Sequence, residues 1–158
     1  YLGDNKKGME DFNEAEHIFD VNFKGAVSML NVIASDFMKK KSGWIAAISS
    51  VAGDRGRQSN FLYGSAKAAL TTYLSGLRNL LCNHGVQVLT IKPGFVNTKM
   101  TRGMDLPKKL VAEPEEVAEN IFKAWKKKKD VIYTKWIWRY IMMIIIHIPE
   151  RIFKKLSL

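Results

Sequence analysis

The sequence predicts a single α/β domain with parallel strands, because short apolar runs that suit buried strands alternate with long helical patterns. The run Trp44–Ser49 is almost continuously apolar, as in a strand that is covered on both faces, and Val86–Ile91 is the second predicted strand. The chain has 158 residues, of which 47% are hydrophobic, enough for one domain with a core. This composition excludes a disordered chain.

Three helices and a third strand complete the predicted alternation. Apolar residues recur at spacings of three and four over roughly residues 10–40, and Lys39–Gly43 ends this helix. A second helix is expected from about Phe61 to Asn83. A third opens at Glu113–Glu116, where acidic side chains favour the positive end of a helix dipole. The short run Asp130–Thr134 predicts another strand.

Charge is distributed unevenly along the chain. The formal net charge is +10, and residues 121–158 hold 10 of the 25 lysines and arginines but only 2 of the 15 acids. A nearly neutral body with a basic tail favours local contact with an anionic surface over nucleic-acid binding. The single cysteine, Cys82, excludes an internal disulfide and a cysteine-rich zinc module. No metal site and no signal peptide are evident, so we expect a cytoplasmic protein.

Polar residues that suit carbonyl chemistry follow one another in this order of elements. Asn22 lies in the first helix, Ser50 ends the first strand, Tyr63 and Lys67 begin the second helix, and Pro93–Thr98 follows the second strand. Strand ends are where ligands bind in open α/β sheets. A spacing of four residues puts Tyr63 and Lys67 on one helix face.

The Tyr63–Lys67 pair predicts proton transfer. A free tyrosine has a pKa near ~10, and a nearby ammonium favours the phenolate, so we expect Lys67 to lower the pKa of Tyr63. Tyr63 would then exchange a proton with a carbonyl oxygen, and Ser50 would hydrogen-bond the same oxygen. Taken alone, the pair is also typical of an aromatic residue packed beside a solvated lysine. Asn22 on a helix surface, and Ser49 in place of Ser50, are further alternatives.

In combination these segments resemble the short-chain dehydrogenase/reductase family. Its asparagine segment is similar to DVNFKGA, its serine strand to AAISSVAG, its tyrosine–lysine helix to YGSAKAAL, and its cofactor-amide loop to VLTIKPGFVNTKM. The resemblance covers about Glu10 to Thr134. It implies a Rossmann-like doubly wound parallel sheet and an NAD(P)-dependent oxidoreductase that interconverts a carbonyl and a secondary alcohol.

The resemblance also implies a role for each matching residue. Tyr63 would be the acid and base, Lys67 would bind the nicotinamide ribose, and Ser50, thirteen residues before Tyr63, would polarise the carbonyl. Asn22 would interrupt its helix and hold a water in a proton relay that leads to Lys67. Four residues would surround the amide of the NAD or NADP nicotinamide: Pro93, Gly94, Val96 and Thr98.

One departure from the family concerns the start of the chain. The family's glycine-rich turn and its Asn-Asn-Ala-Gly signature are absent, and Gly3, Gly8 and Gly25 do not form that turn. We therefore expect residues 1–134 to be the C-terminal, catalytic portion of such a domain. The alternative is a non-catalytic remnant that serves dimerisation or membrane association. The family resemblance also implies a homo-oligomer.

Residues 135–158 form a basic, aromatic tail, which is the second departure. Five of its polar residues fall four or eight positions apart and predict one stripe: Lys135, Arg139, His147, Arg151 and Lys155. A polar stripe opposite Trp and Ile residues suits an amphipathic helix peripheral to a membrane, with a kink or a second helix at Pro149. The run is too short to span a bilayer. Packing against a subunit or over the substrate pocket is an equal alternative. An interfacial tail favours a hydrophobic or lipid-linked substrate.

Overall fold

The computed structural model describes residues 1–157 and is built around a parallel sheet. Three strands form it in the order β1 (Gly43–Ile48), β2 (Val86–Pro93) and β5 (Val131–Thr134). The register pairs Gly43 with Val86 and Thr90 with Val131. All three strands run in one direction with helices on both faces, which confirms the predicted Rossmann-like α/β fold.

The remaining elements follow the predicted order with several additions. The α-helices of the described residues are α1 (Asn5–Glu10), α2 (Phe12–Phe19), α3 (Gly25–Lys40), α4 (Phe61–Leu81), α5 (Pro114–Lys126), α6 (Ile137–His147) and α7 (Glu150–Phe153). A second, two-stranded sheet pairs β3 (Phe95–Val96) with β4 (Val111–Ala112). The sequence indicated only a loop there, because two-residue strands carry no alternation that could be recognised.

The helix expected over residues 10–40 is interrupted by a π-helical turn at Asp20–Lys24, which joins α2 to α3. The backbone N–H of Gly25 donates to the carbonyl of Asp20, five residues earlier. The side-chain amide of Asn22 donates to the carbonyl of Ile18 at 3.0 Å, so a side chain satisfies a carbonyl that an α-helix would pair through its backbone. Such turns are frequent at functional sites.

The core has one apolar layer on each face of the sheet. On one face α3 and α4 pack against β1 and β2 through buried residues that include Leu30, Ile45, Leu74, Leu81 and Val88. On the other face, α5 covers Leu89 and Ile91 of β2 with Ala124. Strand β2 is therefore buried on both sides.

The tail differs from the single polar stripe that the sequence predicts. Lys135 precedes α6 in a left-handed conformation (φ 59°), and its amine donates to the carbonyls of Lys109 and Val111. Pro149 separates α6 from α7, which carries Arg151. The five polar residues therefore do not share one helix face, because backbone geometry on both sides of α6 breaks the helical period.

Helix α6 packs on the body of the domain through one of its faces. Trp138 and Met142 are buried there, against Val51, Phe95 and their half-buried neighbours. Residues 1–157 contain no helix whose length and apolarity would let it cross a bilayer.

Candidate active site

The eight residues singled out in the sequence line one cavity of about 500 Å³ at the carboxyl ends of β1 and β2. Ser50 lies just beyond β1, and Pro93 ends β2. Helix α4 supplies Tyr63 and Lys67 in its first two turns. The parallel sheet brings the two strand ends to the same edge, so residues that are distant in sequence meet there.

Ser50 and Ser49 are both buried, but their hydroxyl groups make different contacts. The hydroxyl of Ser49 contacts the carbonyl of Lys67 at 3.0 Å and the hydroxyl of Thr71 at 2.7 Å, which fixes β1 to α4. The hydroxyl of Ser50 accepts from the backbone N–H of Ala52 at 3.1 Å, and its interaction with Tyr63 acts to lower the pKa of that phenol. These contacts favour Ser50 over Ser49 as the group that meets a ligand beside Tyr63.

Tyr63 and Lys67 lie side by side, but their electrostatics differ from the sequence-based expectation. The amine of Lys67 is 5.6 Å from the centroid of the Tyr63 ring and donates to the carbonyl of Ile48 at 3.2 Å. Burial raises the pKa of Tyr63, and the hydrogen bond with Ser50 only partly opposes this rise. Burial also lowers the pKa of Lys67. The expected lowering of the Tyr63 pKa is therefore wrong for this structure, because desolvation of the phenolate exceeds every attraction.

Asn22 reaches the same cavity from the π-helical turn. Its side chain is buried, and its amide nitrogen donates to the carbonyls of Ile18 and, at 2.7 Å, of Tyr1. It is therefore not a plain surface asparagine. Among the described residues its amide oxygen accepts no hydrogen bond, and both Asn22 and Lys67 line the cavity.

The loop after β2 is held in place from two directions. Gly94 lies directly under the indole ring of Trp138, where a Cβ atom would overlap the ring. Val96 belongs to β3, and its carbonyl accepts from the hydroxyl of Thr101. That hydroxyl also accepts from the backbone N–H of Thr98 at 3.2 Å. The loop presents Val96 and Thr98 to the cavity on a backbone that is fixed by tertiary contacts.

Helix α5 supplies a wall of the cavity that sequence reasoning missed. Val117, Ala118 and Ile121 line the cavity, together with Pro114 at the start of the helix. Their spacing of three and four residues was visible in the sequence, but nothing there indicated that this apolar stripe extends past the sheet core to a ligand site.

The loop after Ser50 is anchored by a buried polar group. Asp54 pairs with Lys92 at 2.5 Å, and their side chains are only 4% and 11% exposed. The hydroxyl of Tyr133 donates to the second oxygen of Asp54 at 2.8 Å. Burial and this hydrogen bond raise the pKa of Tyr133 strongly.

Arg55, the next residue, ties the same loop to the tail. Its guanidinium donates to the carbonyls of Ile145, Ile146 and Ile148 at the end of α6, at 3.1, 2.8 and 2.7 Å. It also pairs with Glu150 and stacks on the Phe153 ring. Sequence reasoning missed Arg55, because contacts across about 90 residues leave no local pattern.

The polar groups of the cavity fit the nicotinamide–ribose end of a dinucleotide. The amine of Lys67 and the hydroxyl of Tyr63 are donors suited to ribose hydroxyls, and Thr98 and the backbone of the Pro93–Thr98 loop can pair with a carboxamide. The described residues contain no group of three His, Cys, Asp or Glu side chains placed to hold a metal ion.

Sequence comparison places this chain among known proteins. The profile of the short chain dehydrogenases matches residues 4–109. An uncharacterised oxidoreductase of Mycobacterium tuberculosis is 34% identical over 155 residues, which are 98% of this chain and 62% of that protein. One from Myxococcus xanthus is 33% identical over 102 residues, 65% of this chain and 40% of the relative. The chain thus spans less than two thirds of the length of these relatives.

Solved structures agree in fold. A short-chain dehydrogenase from Burkholderia cenocepacia in complex with NADP superimposes with a TM-score of 0.76 at 23% identity, over 84% of this chain and 56% of that one. One from Sphingobium yanoikuyae in complex with NADPH gives a TM-score of 0.72 at 21% identity, over 87% and 58%. With the profile match over most of its length and this shared fold, the chain belongs to the short-chain dehydrogenase family.

Proposed function

We propose that this chain carries the catalytic site of an NAD(P)-dependent oxidoreductase that interconverts a carbonyl and a secondary alcohol. The observation that carries the proposal is the meeting of Ser50, Tyr63 and Lys67 in one cavity beside the Pro93–Thr98 loop. Relatives are named oxidoreductases, and structural neighbours were crystallised with NADP or NADPH, which supports this reaction class.

In the reductive direction Tyr63 would give its phenolic proton to the carbonyl oxygen. A nicotinamide held by Lys67 and the Pro93–Thr98 loop would supply the hydride that the carbonyl carbon needs. Burial raises the pKa of Tyr63, so its hydroxyl is protonated at neutral pH but is a weaker acid than a free phenol. Proton transfer would therefore depend on the strong basicity of the substrate oxygen once the carbonyl is reduced. The hydroxyl of Ser50 donates to the same oxygen and stabilises the negative charge that develops there. Lys67 would bind the ribose, and a proton from solvent would return to Tyr63 through Lys67 and a water held by Asn22.

The substrate is proposed to be hydrophobic or lipid-linked. Apart from its few polar groups, the cavity is walled by Ile48, Val96, Val117 and Ile121. An apolar wall with a small number of polar groups is typical of sites that bind apolar molecules and orient them through one functional group. Peripheral contact of residues 135–158 with a membrane would bring such substrates to the site.

A homo-oligomer is part of the same proposal. Phe12, Met29 and Val32 are 77%, 67% and 72% exposed along α2 and α3. Large apolar side chains at such exposure, on two consecutive helices, are typical of a surface that another subunit covers.

The test is Tyr63→Phe in the full-length protein that contains this chain. Turnover of NAD(P)H with a panel of apolar ketones should fall at least ~100-fold, because the proton donor is gone. NAD(P)H should still bind in a fluorescence titration, with its affinity lowered by no more than about tenfold, since the ribose loses one hydrogen bond. Tyr73→Phe is the matched control, since Tyr73 lies on the same helix and its hydroxyl bonds Asn31 away from the cavity.

Two results would contradict the proposal. Full turnover in Tyr63→Phe would remove the proposed acid. Absence of NAD(P)H binding by the wild-type protein would favour the non-catalytic alternative, a module for dimerisation or membrane association.

A further inference from the structure

Helix α6 is apolar on both of its sides. Its inner side buries Trp138 and Met142, but its outer side carries a second stripe that nothing in the described chain covers. Four residues at spacings of four, three and one form this outer stripe, with their exposed fractions: Trp136 74%, Tyr140 52%, Met143 51% and Ile144 64%. The rings of Trp136 and Tyr140 meet edge to face at 5.8 Å. The stripe is therefore an ordered aromatic surface.

Beside the outer stripe lies a groove of about 640 Å³ between α6 and β5, the edge strand of the described sheet. Its apolar walls include Val131 and Ile146, and its other lining residues include Lys129, Arg139, His147 and Tyr140. No carboxylate among residues 1–157 lines it. An aromatic groove with only basic and hydroxyl groups favours an anionic, amphiphilic partner.

Residues 121–158 contain two acids, Asp130 and Glu150, and neither neutralises this surface. Glu150 pairs with Arg55, and Asp130 lies 3.8 Å from Arg78. Within residues 1–157, no carboxylate oxygen comes within 4 Å of the cationic nitrogens of Arg139 or Lys129. Lys126–Lys128 adds exposed positive charge next to the groove. Positive charge and exposed aromatic rings therefore occur on the same side of the molecule.

A bilayer fits this surface better than a second copy of the chain does. A two-fold contact through the same face would bring Arg139 and Lys129 of one copy towards those of the other, and like charges oppose such pairing. In a membrane, indole and phenol rings settle at the headgroup level, and lysines and arginines contact lipid phosphates. An 11-residue helix is about 16 Å long, roughly half of the ~30 Å hydrocarbon core, so it can lie on a bilayer.

We propose that the outer stripe of α6 and the adjoining basic groove dock the protein on an anionic phospholipid bilayer. Trp136 and Tyr140 would enter the headgroup region, while Arg139 and Lys129 would bind phosphates. This inference deepens the membrane contact of the proposed function and rests on it for its biological purpose. The docking itself requires neither cofactor nor turnover.

The experiment is vesicle sedimentation of the full-length protein. Vesicles of phosphatidylcholine with about 30% phosphatidylglycerol should bind the protein at low salt, and pure phosphatidylcholine vesicles should bind it far more weakly. Arg139→Gln combined with Lys129→Gln should weaken binding roughly 30-fold, since each cation near an anionic surface is worth about a fivefold factor. Lys6→Gln with Lys39→Gln lowers the net charge equally on other helices and should leave binding within about threefold.

The apolar part is tested by Trp136→Ala with Tyr140→Ala, which should weaken binding at least ~10-fold. Leu80→Ala removes an apolar side chain of similar exposure, 54%, on α4 and serves as the control. Brominated lipids should quench part of the wild-type tryptophan fluorescence, and Trp136→Phe should lose that quenching.

Three outcomes would overturn the docking surface: no binding to anionic vesicles at low salt, unchanged binding in the Trp136/Tyr140 variant, or a switch of that variant from dimer to monomer. The last outcome would assign the stripe to a second copy. Vesicle binding without any NAD(P)H turnover would support the docking surface and contradict the proposed oxidoreductase activity. Turnover of a water-soluble ketone without vesicle binding would support the oxidoreductase activity and contradict the docking surface.

Discussion

Replacing Arg55 by methionine should release the tail from the loop that follows Ser50. The side chain of Arg55 is only 15% exposed, and its guanidinium faces three main-chain carbonyls at the end of α6. These carbonyls lie where a helix leaves its last C=O groups unpaired, so Arg55 completes the helix end with a charged donor. Methionine keeps much of the aliphatic length and removes all of these hydrogen bonds.

The expected cost follows from the number of hydrogens available. One terminal nitrogen, Nη1, faces all three carbonyls with two hydrogens, so the three contacts amount to about two full hydrogen bonds. A hydrogen bond from a charged donor contributes ~1.5–3 kcal/mol, and water reaching the freed carbonyls recovers part of it. Stacking on Phe153 adds ~0.5–1 kcal/mol. Glu150 is 76% exposed, so its ion pair adds little. The sum is a destabilisation of about 2–4 kcal/mol.

Chemical denaturation of wild-type and Arg55→Met protein measures this change in the free energy of unfolding. Turnover should fall with it, because Ser50 lies five residues before Arg55 on the same loop. Arg55→Lys should recover only part of both, since one ammonium cannot meet all these acceptors. Glu150→Gln should cost less than about 0.5 kcal/mol. An unfolding free energy of Arg55→Met within 0.5 kcal/mol of wild type would refute the reasoning.

Three more substitutions probe the surroundings of the site. Gly94→Ala should lower the free energy of unfolding by at least ~1–3 kcal/mol, because the new methyl group overlaps the buried Trp138 ring. Adding Trp138→Leu should restore part of that free energy, which chemical denaturation of the single and double variants measures. Asp54→Asn should cost ~3–5 kcal/mol by leaving Lys92 charged and unpaired, and a loss below 1 kcal/mol would contradict this account of the buried pair. Lys67→Met should raise stability at neutral pH, because burial lowers the pKa of Lys67 and therefore makes its charged form costly in the folded protein. Denaturation at increasing pH should show this gain shrinking. It should disappear as the pH approaches the ordinary lysine pKa, about 10.4, where the unfolded chain also loses the charge.

The sequence predicts the sheet and the convergence of the site because both depend on local patterns. Continuous apolar runs indicate buried strands, and strand ends that precede Ser50 and Pro93–Thr98 must meet at one edge of a parallel sheet. The same reasoning places Tyr63 and Lys67 on one face of α4. The roles of these residues remain predictions, since geometry alone does not show a reaction.

The contacts that the sequence does not reveal are those whose energy comes from distant partners. The pKa of Tyr63 rises because burial outweighs the interaction with Ser50, and the extent of that burial depends on elements that are distant in the sequence. Asn22 produces a π-helical turn only because its amide finds the carbonyls of Ile18 and Tyr1. The predicted polar stripe of the tail is not formed, because Lys135 takes a left-handed conformation before α6 begins.

Arg55 also determines how the tail can meet a bilayer. While its hydrogen bonds hold the end of α6, Trp138 and Met142 stay buried and only the outer stripe is presented. Freed from Arg55, the helix could offer both apolar sides to lipid, and buried apolar area sets the strength of interfacial binding. Arg55→Met should therefore bind anionic vesicles more tightly while it turns over more slowly. Opposite shifts from one substitution would show that the docked tail favours catalysis over membrane affinity, and weaker vesicle binding in Arg55→Met would contradict this competition.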